Sequence, residues 1–212
     1  MELREQRFGI EIEMTGITRA GAAKVAATYF GTRSEYVGTY YQTYAAVDQE
    51  GRQWKFMSDG SIRAEKKVNG EKRAAGAVYR TEMVSPICRY EDIEKIQELI
   101  RELKKKGAIV NESCGIHVHI DASPFDAGKL RNLTNIMAAK EDLIYKALGV
   151  SVERQHRWCR PVEERFLEEL NRRRPTSMEA VEEIWYNGRS RRGQHYDQSR
   201  YHCLNLHSVF QK

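Results

Sequence analysis

The chain has 212 residues, a length that fits one domain or one large domain with an appended piece. Hydrophobic residues make up 41% of it and charged residues 31%, a composition that can build a globular core. A transmembrane helix is excluded because no stretch of about 18 apolar residues occurs. The first residues also lack the apolar segment of a signal peptide. We therefore expect a cytoplasmic protein that does not bind membranes and keeps its four cysteines reduced.

The formal net charge is +5, and much of the arginine falls in two clusters, at residues 172–174 and 189–192. Such clusters can contact nucleic acid or anionic substrates. Several glutamates lie among them, however, so we expect most of this region to form solvated helix faces. Nucleic acid is therefore not the expected main partner, and a non-catalytic basic binding module remains an alternative.

In the N-terminal half, strand and helix patterns follow one another irregularly. A strand is predicted at 8–14, followed by a helix that begins at the capping residue Thr18 and ends at Gly31. Further strands are predicted at 36–47, 52–58 and 79–87, with a solvated loop or hairpin tip at 66–76. Residues 91–106 form the clearest amphipathic helix, whose apolar face consists of Ile93, Ile96, Leu99, Ile100 and Leu103.

The C-terminal half starts with a strand at 114–121 and continues with helices at 123–148 and 161–171. Thr176 and Glu179 form a capping box for another helix. A polar loop is expected at 188–199 and a final strand at 201–210. Because the strands are not separated by regular crossover helices, the pattern predicts an α+β fold with an antiparallel sheet and helices on one face.

Two of these strands carry side chains suited to a metal site. Side chains alternate between the faces of a strand, so Glu11 and Glu13 share one face of the first strand. In the same way His117, His119 and Asp121 share one face of the later strand, while Ile116, Val118 and Ile120 are expected to fill the core. Paired carboxylates repel each other unless a cation lies between them, and hard cations such as Mg²⁺ prefer oxygen ligands. Solvated glutamates and satisfied surface histidines remain the alternative.

Two further acidic residues are weaker candidates when taken alone. Glu82 lies on the predicted strand 79–87, where an ordinary surface pair with Arg80 would also explain it. Asp59, in Asp-Gly-Ser, could simply be a turn aspartate.

The ordered set of motifs is more specific than any member of it. Gly-x-Glu-x-Glu, Asp-Gly-Ser, Glu-x-x-Ser-Pro and Gly-x-His-x-His, in this order, resemble the carboxylate-amine ligase superfamily, which includes glutamine synthetase and glutamate-cysteine ligases. The set is most similar to the amidoligase family. Two later segments resemble elements of that family, namely Arg154 with Arg-Trp-Cys-Arg-Pro at 157–161 and Arg-Tyr-His-Cys-Leu-Asn-Leu at 200–206. The resemblance covers residues 7–210.

This resemblance implies a single catalytic domain over residues 1–212 with a glutamine-synthetase-like antiparallel sheet, a half-barrel backed by helices. It implies ATP-dependent amide formation through an acyl phosphate, with small-molecule or peptide carboxylates and amines as substrates. The cofactors would be ATP and Mg²⁺. By the same resemblance, the metal ligands would be Glu11, Glu13, Glu82 and His117.

The remaining site residues follow from the resemblance in the same way. His119 would face the ATP phosphates, and Asn205 would orient the carboxylate substrate. Arg154 and Arg200 would stabilise charge on the transferring phosphoryl group or the oxyanion. Asp59 would accept a proton from the incoming amine.

One departure from the family pattern concerns the C-terminal end. Family members usually continue past the Leu-Asn-Leu segment into another strand with a Thr-x-Glu-Phe-Arg-like motif and then further helix. We therefore expect the fold to be incomplete there. The chain would be a fragment, or a partner chain or second copy would complete the sheet, or the chain would be a degenerate copy of the family pattern.

A zinc-dependent hydrolase is the competing enzyme class. In that alternative, His117, His119 and a carboxylate would hold Zn²⁺ and activate water.

Overall fold

The computed structural model describes residues 2–194 and 196–211, and the chain divides into two compact units, 1–121 and 122–212. Each unit has its own cluster of buried hydrophobic residues. No helix in the described ranges has both the length and the apolarity that a membrane crossing requires.

The N-terminal unit consists of eight strands and two α-helices, with short 3-10 helices at Leu3–Glu5 and Ala77–Tyr79. The α-helices are α1 (Arg19–Phe30) and α2 (Asp92–Lys105), and the strands are β1 (Phe8–Met14), β2 (Ser34–Gly38), β3 (Thr43–Val47), β4 (Gln53–Met57), β5 (Glu65–Val68), β6 (Glu71–Ala74), β7 (Thr81–Val84) and β8 (Ile116–Ile120). Six strands form an antiparallel sheet in the order β2-β3-β4-β7-β1-β8, and β5 and β6 form a separate hairpin. The predicted α+β class, an antiparallel sheet backed by helices, is confirmed. Within the described residues the six-stranded sheet stays open and does not close into a barrel.

Alternation along the strands places one face of this sheet against the helices. Trp54, Phe56 and Met83 are fully buried there, together with Ala26 of α1 and Leu99 of α2. Burial of this apolar surface contributes about 25 cal/mol per Å² to stability. The opposite face therefore carries the polar side chains of the same strands.

Several predicted helix signals are confirmed in this unit. Thr18 accepts a hydrogen bond from the Gly21 N–H, and Gly31 ends α1 in the left-handed region that glycine adopts without strain. Helix α2 matches the predicted range to within one residue at each end. Of its predicted apolar face, Ile93 is exposed, because it lies in the first turn.

Two predictions for this unit were wrong. Residues 36–47 form a hairpin instead of one strand, since the chain reverses between Thr39 and Gln42, both of which have positive φ. Ile116, Val118 and Ile120 do not fill the core and are 50% to 57% exposed. Strand β8 lies at the edge of the sheet, and the core cluster draws its strand residues from the strands further in.

The C-terminal unit is largely helical, with a short 3-10 helix at Gln198–Arg200. Its α-helices are α3 (Ala127–Leu148), α4 (Val152–Arg157), α5 (Glu164–Arg173), α6 (Met178–Trp185) and α7 (His207–Phe210). Phe166 and Leu170 of α5 pack with Val181 and Ile184 of α6 in its core. The helices predicted at 123–148 and 161–171 are present, but each begins three or four residues later than expected.

Two predictions for the C-terminal unit were also wrong. Ser177, and not Thr176, caps α6 by accepting a hydrogen bond from the Ala180 N–H. The strand expected at 201–210 is a single bridge between Arg160 and His202 followed by helix α7. Asn205 favours this helix because its side-chain oxygen accepts a hydrogen bond from the His207 N–H at 2.9 Å.

Candidate functional site

Strand β1 brings together motifs that are far apart in the sequence. It lies between β7 and β8, and its register places Glu11 opposite His117 and Glu13 opposite Glu82. All four side chains belong to the sheet face opposite α1 and α2, because Ile12, Met14 and Met83 occupy the helix-covered face. The predicted metal ligands therefore share one surface.

Glu11 is held between the two histidines of β8. Its two carboxylate oxygens lie 3.1 Å from Nδ1 of His117 and 3.2 Å from Nε2 of His119. These hydrogen bonds stabilise the carboxylate and lower the pKa of Glu11 to about 2. The same contacts raise the pKa of both histidines, which favours their protonated forms.

Glu13 is fixed by the backbone that precedes β8. One of its oxygens accepts a hydrogen bond from the Gly115 N–H at 2.6 Å. From the sequence, Gly115 was recognised only as part of the Gly-x-His-x-His motif. The only sequence signal for the hydrogen bond to Glu13 is the position of Gly115 two residues before His117.

The loop after β4 adds Asp59 to the same place. One of its oxygens accepts a hydrogen bond from the Ser61 N–H at 2.6 Å, an Asx-type contact that orders the Asp-Gly-Ser turn. Asp59 was expected to act as a catalytic base, and the structure places its carboxylate beside those of Glu13 and Glu82. We refer to Glu11, Glu13, Asp59 and Glu82 as the acidic cluster.

Two groups of potential metal ligands overlap in this cluster. Atoms of Glu13, Asp59 and Glu82 lie within 4.8 Å of one another, as do atoms of Glu11, Glu82 and His117. Glu82 belongs to both groups. The first group offers only oxygen atoms, the donor type that Mg²⁺ prefers, whereas the second includes an imidazole nitrogen that also suits transition metals.

Glu82 shows that placing these carboxylates close together is electrostatically unfavourable. Its side chain is almost fully buried, and no lysine or arginine within residues 2–194 and 196–211 forms an ion pair with it. Burial, followed by the charges of Glu11, Asp59 and Glu13, raises its pKa to about 7. A divalent cation would offset this repulsion, so the residues present fit such a group.

Asp121, which follows β8, has a different role from its neighbours. Its carboxylate forms an ion pair with Arg7 at 2.6 Å, which ties the end of β8 to the segment before β1.

The other predicted site residues lie in the C-terminal unit. Arg154 is on α4, Arg200 ends the 3-10 helix, and Asn205 lies just before α7. The contribution of these three residues to the site stays a prediction.

The arginine clusters of this unit are largely paired with acidic side chains. Ion pairs join Arg172 to Glu169 at 2.6 Å and Arg173 to Glu183 at 3.2 Å, and two longer ones join Arg191 to Asp197 and Arg192 to Glu182. Pairing of this kind reduces the positive charge that could face a nucleic-acid backbone.

A comparison with protein families identifies the chain. The family described as "Putative amidoligase enzyme" matches residues 4–212, nearly the whole length. The chain belongs to this amidoligase family. Neither curated proteins nor solved structures gave a match. Membership agrees with the resemblance of the ordered motifs, and it indicates a ligase activity.

Proposed function

We propose that this amidoligase is an ATP- and Mg²⁺-dependent carboxylate-amine ligase that forms an amide through an acyl phosphate. The observation that carries the proposal is the acidic cluster, in which two ligand groups share Glu82 on a sheet face of a family member. A buried set of carboxylates that raises one member's pKa to about 7 is costly without a cation.

Glu13 and Glu82 would hold one Mg²⁺ next to Asp59, whose carboxylate would remain available as a base. Glu11, Glu82 and His117, the last as a neutral imidazole, would hold a second cation. When bound, these ions would neutralise the charge that builds up on a transferring phosphoryl group.

The residues of the chain would assist the first step by positioning. Glu11 orients His119 and favours its protonated form, so that the ring can donate a hydrogen bond to a phosphate oxygen. In this step a substrate carboxylate attacks the γ-phosphorus of ATP, and ADP leaves.

In the second step an amine attacks the acyl carbon and phosphate leaves. The amine must lose a proton, and Asp59 would accept it as a general base. Arg154 and Arg200 would stabilise the oxyanion, and Asn205 would orient the carboxylate substrate, as the family resemblance implies.

Nucleotide binding tests the first part of this proposal. We expect ATP with Mg²⁺ to raise the unfolding temperature of the protein, and ATP with a chelator to have little effect. Glu82→Gln should abolish the increase. Glu94→Gln, at an exposed position of α2, removes the same charge and should leave the increase unchanged. Equal shifts in all samples would contradict the proposal.

The acyl phosphate gives a chemical readout. Hydroxylamine converts an acyl phosphate to a hydroxamate, so a panel of amino acids and peptides can be screened with ATP, Mg²⁺ and hydroxylamine. We expect hydroxamate to form with a subset of the carboxylates and ADP to form in equal amount. ADP release that is independent of any carboxylate would contradict a ligase mechanism.

The presence of His117 in one ligand group is the observation that favours the zinc hydrolase. Metal analysis separates the two candidates. Zinc retained through purification, together with no effect of ATP on the unfolding temperature, would favour the hydrolase.

A further inference from the structure

Lys55 lies on the same sheet face as the acidic cluster. Its neighbours in sequence, Trp54 and Phe56, are fully buried in the core against the helices, so Lys55 faces the other way. Lys55 is exposed. Lys55 was not among the predicted site residues. A charged residue between two aromatic core residues nevertheless indicates a side chain that faces away from the core.

The register places Lys55 on one row with Glu11 of the acidic cluster, and in the other direction the same row runs through Ala45 to Glu35. Lys55 lies opposite Val84, and Val84 lies opposite Glu11, so the row crosses β4, β7 and β1. Two inter-strand spacings separate Lys55 from Glu11, which is about 10 Å between backbones. Only the short side chain of Val84 stands between them on this row.

Among the described residues of the six strands, Lys55 is also the only lysine or arginine on this face, as the register and the burial pattern show. In the described part of the chain its ammonium group has no ion pair with a carboxylate. The face thus combines the acidic cluster and the two histidines of β8 with one lysine that forms no ion pair in the described part of the chain.

We propose that Lys55 is an anion-binding residue that holds a phosphate oxygen of the nucleotide whose Mg²⁺ ions lie at the acidic cluster; this rests on the proposed function. A triphosphate carries its negative charge along a chain, so one end can lie at the cations while another oxygen reaches an ammonium group across the row. Lysine suits this role because its charge is compact and sits on a flexible four-carbon stem.

The sheet face on which Lys55 lies distinguishes it from the lysines of the helices. Many lysines of the N-terminal unit are exposed, but those on α1 and α2 lie on the layer behind the sheet. Lys24 of α1 is an example and gives a matched control, because its removal changes the net charge equally on the opposite side of the sheet.

Calorimetric titration of the full chain with Mg²⁺-ATP and with Mg²⁺-tripolyphosphate tests the proposal. We expect Lys55→Ala and Lys55→Gln to weaken the binding of both probes by about tenfold to hundredfold, as for loss of one charge-assisted hydrogen bond. Lys55→Arg should restore most of the affinity, and Lys24→Ala should bind as the wild type does. Because Lys55 is exposed, the variants should keep the wild-type unfolding temperature without ligand.

The outcomes separate this inference from the function on which it rests. If the wild type binds Mg²⁺-ATP and the Lys55 variants bind equally well, Lys55 has no role and the ligase proposal stands. If only the ATP affinity falls and that for tripolyphosphate does not, the phosphate contact is overturned. If the wild type itself binds neither probe, the proposed function and this inference fail together.

Discussion

The N-terminal unit contains two groups of buried carboxylates with opposite electrostatics. In the first, Asp48 and Asp92 share Arg52, whose guanidinium lies 2.9 Å from Asp48 and 2.7 Å from Asp92. Hydrogen bonds from Arg52 lower the pKa of Asp92 to about 2. In the acidic cluster, burial and neighbouring carboxylates raise the pKa of Glu82 to about 7.

The difference shows what decides the role of a buried acid. Each group contains two buried carboxylates, Asp48 and Asp92 in the first and Glu13 and Glu82 in the second, so burial alone cannot distinguish them. The group with an internal cation is complete and stabilises the fold, whereas the acidic cluster has the form of a site that an external cation would complete. Three predictions test this contrast.

The largest effect is expected from removing the internal cation. Arg52→Met removes the guanidinium and leaves the buried Asp48 and Asp92 only the ammonium of Lys95, 3.8 Å and 3.4 Å away, which should lower the free energy of unfolding by about 3 to 5 kcal/mol. Urea denaturation at neutral pH measures it. Arg63→Met is the control, because Arg63 is exposed in its ion pairs with Glu112 and Glu65, and its loss should cost much less. Similar losses in the two variants would refute the contrast.

The acidic cluster should destabilise the metal-free protein as the pH rises. The folded pKa of Glu82 is above its ordinary value of 4.5, so its favourable contribution is complete below pH 4.5 and is lost as the pH rises through 7. With chelator present, we expect this loss to reach about 3 kcal/mol at pH 8. Glu82→Gln should lack it, which a comparison of the two stability profiles between pH 4.5 and 8 measures. If the two stability profiles run parallel, the fold does not raise the pKa of Glu82.

The smallest effect is expected at the acid end. The folded pKa of Asp92 is below its ordinary value of 3.8, so its contribution is present above pH 3.8 and is lost as the pH falls through 2. This amounts to about 2 kcal/mol. Asp92→Asn should reduce the decline in stability between pH 4 and 2, to which Glu11 also contributes because its pKa is likewise about 2, while Glu82→Gln should leave the decline in place. If Glu82→Gln reduced the acid decline in stability and Asp92→Asn did not, the contrast between the two groups would be wrong.

Sequence reasoning found most of the acidic cluster for a physical reason. Alternation along a strand fixes which side chains share a face, so Glu11 with Glu13 and His117 with His119 could be paired before the fold was known. The order of the motifs then indicated that Glu82 belongs with them. Asp59 was also selected, although its proximity to Glu82 depends on the path of a loop.

The remainder depends on positions that no local pattern encodes. Whether β8 is central or at the edge decides the burial of Val118, and strand order is a property of the whole sheet. The pair Arg52 and Asp92 is separated by 40 residues and was missed. The segment at 201–210 alternates like a strand, yet a local hydrogen bond of Asn205 starts a helix within it.

The central place of β1 has a consequence for how the protein is made. This early strand pairs only with β7 and β8, so the contact between Glu11 and His117 spans 106 residues of sequence. Contacts of such long range slow folding, because a large loop must close before they form. During synthesis one hydrogen-bonding edge of β1 must therefore stay open until β7 has left the ribosome, and the other until β8 has followed.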